Sequence, residues 1–138
     1  MRTRGLWVVA LGLIAGCIPE ARLQPLPEAR PLAGDTSAAV AEAHGVRLVA
    51  DGAAWDGYPK NLERRLTPVE VRLENHSGRA LSIRYELFVE DGGSVAGFLF
   101  FQGVAEREKQ VTLQAQLVDA STGEQFGRLS IPFQVARR

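Results

Sequence analysis

The fold class is decided by residues 69–89, which read VEVRLENHSGRALSIRYELFV. Apolar residues alternate with charged ones over 69–74, and they occupy every second position again over 81–89. A period of two is typical of a β-strand with one buried and one exposed face. Residues 75–78, Asn-His-Ser-Gly, form turns readily and separate the two runs. The stretch therefore predicts two strands of an antiparallel sheet joined by a turn.

Similar alternation recurs on both sides of this stretch. Three further runs share it, and they cover residues 46–50, 111–117 and 129–135. Turn-forming sequences lie at 90–93 and 119–123, and 95–101 is an additional apolar stretch. Pro132 lacks an amide donor, so we expect the last strand to be a sheet edge with that nitrogen facing water. These features predict an all-β fold, a small antiparallel immunoglobulin-like β-sandwich over residues 46–138.

Residues 17–45 are predicted to be a tether. Residues 18–34 hold four of the seven prolines, and prolines at this density favour an extended polyproline II chain. At about 3.1 Å per residue, such a spacer would hold the domain on the order of 50 Å from its attachment point. Residues 35–45 carry the start and stop signals of a helix: Asp35 or Thr36 can cap its start, His44 suits its negative C-terminal end, and Gly45 lies just beyond. They therefore predict a short helix.

The first 16 residues are predicted to be a signal peptide. Arg2 and Arg4 form a basic start, residues 6–14 are a run of nine apolar residues, and two small residues follow. This order is typical of a secretory signal. The run is too short to cross a bilayer, for which about 20 apolar residues are needed.

Ile14-Ala15-Gly16-Cys17 resembles the lipobox of bacterial lipoproteins. The resemblance implies that signal peptidase II recognises Ile14, Ala15 and Gly16 and cleaves before Cys17. It also implies that Cys17, the single cysteine, carries a diacylglyceryl thioether and an N-acyl chain such as palmitate. Two or three acyl chains anchor a protein stably, whereas one chain alone binds marginally. Ile18, in place of an aspartate, favours the outer membrane over the inner membrane.

The charge balance argues against nucleic acid as a partner. Without Arg2 and Arg4 the chain has 14 basic and 16 acidic residues, whereas a nucleic-acid-binding protein needs a basic face. The apolar share of 46% is ordinary for a globular domain. The composition therefore favours a globular domain held on the membrane by its lipid.

Residues 69–93 also resemble a known type of domain. The pattern Val-x-Val-x-Leu-x-Asn-x-Ser-Gly, then Leu-x-Ile-x-Tyr-x-x-Phe and an acidic glycine turn, is similar to immunoglobulin-like (telokin-like) extracellular domains of bacteria. From Gly45 onward, including residues 54–57 and 66–69, the chain is similar to uncharacterised lipoproteins of the myxobacterial type. The resemblance implies the fold and a location in the cell envelope, and it transfers no catalytic residue.

Side chains suited to catalysis or metal binding are few. The histidines are His44 and His76, and a structural zinc site needs about four Cys or His ligands, so we expect no metal and no cofactor. His76 and Ser77 are the candidates for a hydrolytic pair, although the turn in which they lie accounts for both. We therefore expect the protein not to be an enzyme.

Two regions are candidates for recognition. The long connection over 51–67 holds residues that are typical of interfaces, namely Trp55, Tyr58, Arg64 and Arg65. In the alternative interpretation, which we favour, Trp55 and Leu62 fold back over one end of the sandwich. The second region is Phe98-Leu99-Phe100-Phe101, in which the residues that would point to either face of a strand are all apolar. Either this strand is buried on both faces, as we expect, or its outer face, with Phe98 and Phe100, is a docking patch.

Three functional hypotheses remain from the sequence. The first is a lipid-anchored, non-enzymatic β-sandwich of the cell envelope that binds or scaffolds another envelope protein. The second is a lipoprotein subunit of an envelope-spanning secretion or motility machine. The third is an envelope hydrolase that uses His76.

Overall fold

The computed structural model describes residues 21–84, 87–103 and 108–137. The predicted signal peptide, the lipobox and Cys17 lie outside the described residues. Ten strands and one turn of 3₁₀ helix at Leu62–Arg64 make up the described chain. The strands are β1 (Ala21–Pro25), β2 (Arg30–Leu32), β3 (Asp35–Ala43), β4 (Val46–Asp51), β5 (Leu66–Asn75), β6 (Leu81–Arg84), β7 (Leu87–Val89), β8 (Ser94–Gln102), β9 (Gln110–Val118) and β10 (Gln125–Arg137).

Two antiparallel sheets form the body of the domain. The five-stranded sheet has the order β2-β3-β4-β5-β8, and the three-stranded sheet has the order β1-β10-β9. Strands β6 and β7 pair with each other, and a bridge from Leu81 to Asp119 joins β6 to the end of β9. The all-β, sandwich-like fold predicted from the sequence is therefore confirmed.

The core lies between the facing sides of the two sheets. Alternate residues of each strand point inward, as the period of two requires. In the three-stranded sheet these residues include Phe133, which is fully buried, and Ile131, which is 1% exposed. In the five-stranded sheet Ala39, Leu48 and Val69 lie in the same buried cluster. The strands at 46–50, 69–74, 111–117 and 129–135 are thus confirmed as the framework of the sandwich.

The tether predicted over residues 17–45 is wrong for its described part. Strand β1 pairs with β10 from Ala21 onward, and β2 pairs with β3. Leu23, Leu26 and Ala29 are buried. Pairing and burial outweigh the proline content because β1 and β2 are both sheet edges, where a missing amide donor is tolerated.

The short helix predicted over 35–45 is also wrong. These residues form β3, which pairs with β4 in the register Ala43 opposite Val46. Between them, His44 and Gly45 both have positive φ angles, 53° and 77°, as a two-residue hairpin turn of type I′ requires. The supposed cap, Asp35, instead accepts hydrogen bonds from the amide and hydroxyl of Ser37, 2.8 and 2.7 Å away. Gly45 and Asp35, which we interpreted as the end and the cap of a helix, therefore belong to turns.

Pro132 does not lie in an edge strand, because β10 is the central strand of its sheet. The carbonyl of Pro132 accepts a hydrogen bond from the amide of Leu26 at 3.1 Å. Because the nitrogen and the carbonyl of one strand residue point to the same side, the nitrogen of Pro132 also faces β1. The donor that Pro132 lacks would have met the carbonyl of Leu26, which accepts the amide of Ala29 instead at 2.9 Å. The proline is accommodated because the chain turns away at that point.

The single strand predicted over 81–89 is divided in the structure. Its two halves are β6 and β7, which pair antiparallel with Leu81 opposite Val89. Leu81 and Val89 are both buried in the core, whereas Phe88 is 52% exposed. The alternation identified strand residues correctly but could not show that the chain reverses between them.

The sandwich has two chemically different ends. Strands β1, β5 and β9 begin at one end, which we call the Ala21 end, and the long connection over 52–65 lies there as well. The other end, which we call the turn end, holds the tight turns at 44–45, 76–80, 90–93 and 119–124. Among the described residues, no helix is long and apolar enough to span a bilayer.

Candidate binding surface

Strand β8 is the most exposed apolar element of the described chain. It forms the edge of the five-stranded sheet, and β5 is its one neighbour there. Leu99, Phe100 and Phe101 are 45%, 50% and 41% exposed. The burial on both faces that we expected for this strand is therefore wrong. An apolar edge strand with unpaired backbone groups is a site at which other chains pair readily.

The outer face of β8 carries a cluster of three aromatic rings, which we call the aromatic patch. Phe98 and Phe100 stack with ring centroids 6.2 Å apart. Trp55 packs edge-on against both rings, at 5.1 and 5.6 Å between centroids. Such edge-to-face pairs are favourable beyond the area that they bury. Trp55 therefore lies over the outer face of the sheet. The expectation that it folds back over one end of the sandwich is wrong.

The inner face of β8 borders an apolar cleft. Val69 and Phe101 of the five-stranded sheet lie around it, and Leu23, Val111, Leu113 and Phe133 line it on the facing sheet. The volume of the cleft is about 290 Å³. It forms because β8 and β9 are each the edge of their own sheet in the described part of the chain. Nearer the turn end, Leu81, Ser82 and Ile83 of β6 lie between the same two strands. A single strand thus presents an aromatic patch on one face and an apolar cleft on the other.

The other interface candidates lie apart from this patch. Tyr58 is 91% exposed and Arg65 is also exposed. Both lie in the 52–65 connection at the Ala21 end, where Arg22 and Glu63 form an ion pair at 3.2 Å. Arg64 lies in the 3₁₀ turn, and its side chain is outside the described residues. The structure thus brings together Trp55, Phe98 and Phe100 and leaves Tyr58 and Arg65 at the tip.

The two histidines and Ser77 lie in turns at the turn end. The Ser77 hydroxyl donates to Asn75 Oδ1 at 2.7 Å, and the Ser77 amide donates to the same oxygen at 3.1 Å. The ring of His44 packs edge-on against Phe126, with centroids 6.1 Å apart. Within the residues that the structure describes, no group of three or more His, Cys, Asp or Glu is placed to hold a metal ion.

Sequence reasoning missed the cleft and the free edge of β8. Both depend on which strands end up as sheet neighbours, and the alternation of residues within one strand holds no information about that choice. The available signal for apolar surface on both faces of β8 was the run Phe98-Leu99-Phe100-Phe101, because four consecutive apolar residues cannot all face one side of a strand.

No family model, curated protein or solved structure matches the chain. The described residues define the class of protein: a small all-β, sandwich-like domain whose edge strand β8 carries half-exposed apolar side chains.

Proposed function

We propose that the protein is a lipid-anchored lipoprotein of the cell envelope whose β-sandwich is a non-enzymatic binding module. Its partner is another envelope protein, which binds along β8. The lipid on Cys17 would hold the module on a membrane, and Ile18 favours the outer one. The single observation that carries the binding role is the half-exposed apolar edge strand β8.

The exposure of β8 argues for a partner on energetic grounds. Leaving apolar area in water forgoes about 25 cal/mol for each Å² that could be buried. Monomeric soluble proteins rarely expose large continuous apolar patches, and those that do generally use them for binding. Phe100 belongs to the aromatic patch, and the exposed Leu99 and Phe101 continue the apolar surface on the other face of β8.

The arrangement of β8 favours a protein as the partner. Its unpaired backbone edge can accept a strand, and its side chains alternate between the patch and the cleft, so that a bound strand would meet apolar surface on both faces. Phe100 and Trp55 are aromatic residues, which bury large areas and contribute strongly to interface energies.

The lipid anchor is tested by metabolic labelling with palmitate. The native protein should incorporate the label and float with membranes, and a Cys17→Ala variant should do neither. Ser77→Ala is a suitable control because it leaves the lipobox intact. Labelling of the Cys17→Ala variant would contradict the anchor.

The binding role is tested by photo-cross-linking in living cells. A photoreactive amino acid at Gln102, exposed at the end of β8, should give discrete cross-linked products with envelope proteins. The same group at Thr112, exposed on the outer face of the three-stranded sheet, is the control. A Phe98→Ser and Phe100→Ser double variant should lose the Gln102 products. Equal products at both positions, or products that survive the double substitution, would contradict the proposal.

The same experiment separates the binding module from a machine subunit. A single cross-linked partner supports the general binding role. A defined complex of several different subunits, recovered in constant proportion, supports the secretion or motility machine instead.

A further inference from the structure

The position of β1 fixes how far the domain can lie from its lipid. This inference rests on the anchor at Cys17 proposed above. Strand β1 begins at Ala21, where it pairs with Arg137. Four residue steps separate Cys17 from Ala21, and a fully extended chain covers at most about 3.6 Å per step. The start of the sandwich is therefore held within about 15 Å of the lipidated residue, instead of the 50 Å expected from a long spacer.

The short connection also fixes which end of the sandwich faces the bilayer. Residue Ala21 belongs to the Ala21 end, and the 52–65 connection is fastened to the same end. Arg22 is paired with Glu63 at 3.2 Å, and the α-carbon of Gly52 lies so near the Leu23 side chain that a Cβ there would collide with it. The tip of the connection, with Tyr58, is therefore part of the end to which the lipid is attached.

The side chains of this end suit a bilayer interface. Tyr58 is 91% exposed, and an aromatic ring with a polar tip is favoured at the level of lipid headgroups. Lys60, Arg65 and Lys109 are exposed at the same end. Long basic side chains can place their charge among headgroup phosphates while their methylenes remain in an apolar environment.

The charges of the two ends differ in sign. Among the exposed side chains described at the Ala21 end, the basic Lys60, Arg65 and Lys109 outnumber the acidic Asp56 and Glu108. Asp35, Asp51 and Glu63 lie at the same end but are not fully exposed, and Glu63 is paired with Arg22. In the turns of the opposite end the balance is reversed: Arg79 against Glu90, Asp91, Asp119 and Glu124. Anionic lipids attract basic groups near the surface and repel acidic ones, so this polarity points the Ala21 end towards the membrane.

We propose that the Ala21 end is a membrane-contacting surface for anionic lipid headgroups, with Tyr58 at the interface and Lys60, Arg65 and Lys109 against the phosphates. The contact fixes the orientation of the anchored domain. Strand β8 then runs from the turn end down to the bilayer, and its edge and aromatic patch face sideways along the membrane. A partner on β8 would be another protein held at the same membrane surface.

The test uses the mature lipidated protein in vesicles. Its one native cysteine carries the lipid, so an added cysteine is the single free thiol. Asn61→Cys places an environment-sensitive fluorophore at the Ala21 end, on a residue that is exposed and makes no side-chain cap. Glu124→Cys places the same fluorophore at the turn end as a matched control. The vesicles are phosphatidylcholine with or without phosphatidylglycerol.

The fluorophore at residue 61 should shift to the blue on addition of phosphatidylglycerol and be quenched by nitroxide-labelled headgroups. The fluorophore at residue 124 should show neither effect. Each basic group near an anionic surface changes partition by about fivefold. Arg65→Glu should therefore lower the fraction of residue 61 that is in contact with the headgroups, measured by nitroxide quenching, by at least that factor. Arg128→Glu, at an exposed position of the three-stranded sheet, should leave the quenching unchanged.

Failure of this inference is distinguishable from failure of the anchor. If the protein does not float with the vesicles, the proposed lipid anchor is wrong. If it floats and residues 61 and 124 respond alike, the anchor holds and the membrane-contacting surface is wrong. Contact at residue 61 that is independent of phosphatidylglycerol would overturn the role of the basic residues.

Discussion

The side-chain amide of Asn75 donates a hydrogen bond to the carbonyl of Val89, 2.9 Å away, and thereby joins β5 to the end of β7. The same nitrogen lies 2.6 Å from the carbonyl of Arg79 and 3.1 Å from that of Glu90. Asn75 is fully buried. One asparagine therefore holds together two turns of the turn end.

Replacing Asn75 by alanine should destabilise the domain markedly. The change removes the buried hydrogen bond to Val89, a loss that costs about 1–3 kcal/mol. The carbonyls of Glu90 and Arg79 keep the Gly93 amide and the Ser77 hydroxyl as donors. We expect the free energy of unfolding in urea to fall by at least that amount. Ser77→Ala, which removes one hydroxyl bond to Asn75 Oδ1, is the milder control. Equal losses in the two variants would contradict the central role of Asn75.

Two glycines with similar backbone angles should respond differently to alanine. Gly45 and Gly78 have φ angles of 77° and 74°, which cost a non-glycine residue about 1–2 kcal/mol. A Cβ at Gly78 would meet open space, whereas one at Gly45 would collide with the backbone of His76. Thermal unfolding should therefore show a larger loss of stability for Gly45→Ala, and the difference measures the collision.

Substitutions at two phenylalanines should distinguish the buried core from the exposed surface. Phe133 is fully buried and Phe100 is 50% exposed. Phe133→Ala should cost about 3–5 kcal/mol through lost burial and a cavity. Phe100→Asp should leave the domain folded, because Phe100 is half exposed and a carboxylate there can reach water beside Trp55. Circular dichroism and urea titration measure both, and unfolding of the Phe100→Asp variant would show that β8 is covered.

Acid should remove part of the stability that Asp119 supplies. The hydroxyl and amide of Ser121 donate to its carboxylate, with a further contribution from the Thr122 amide and the Arg79 charge, and these hold the pKa of Asp119 below its ordinary value of 3.8. A lowered pKa in the folded state means that the unfolded state binds the proton more tightly. The contribution is therefore complete above pH 3.8 and is lost as the pH falls through the lower folded value.

The measurement is the stability difference between the native protein and Asp119→Asn as a function of pH. The difference should be largest near neutrality and shrink below the ordinary aspartate pKa. Asp35→Asn should behave in the same way, because Ser37 lowers the pKa of Asp35 by the same two types of hydrogen bond. A difference that is constant with pH would contradict this origin.

Particular elements show how far a sequence of this kind can be interpreted. Strand β5 was predicted from its alternation because charged and apolar residues mark its two faces unambiguously. Strand β3 was not, because Ala38, Ala39 and Ala41 have high helix propensity and provide no charge contrast. Pairing with β4 overrides that propensity, and the small side chains permit close packing, with Ala39 fully buried.

The sequence by itself determined the class of fold and the strands with strong alternation. It did so because these depend on local patterns over a few neighbouring residues. The tertiary structure alone decided that Pro132 is central, that β8 is an open edge, and that Trp55 covers Phe98 and Phe100. These depend on contacts between residues far apart in the chain, whose pairing is set by packing of the whole core.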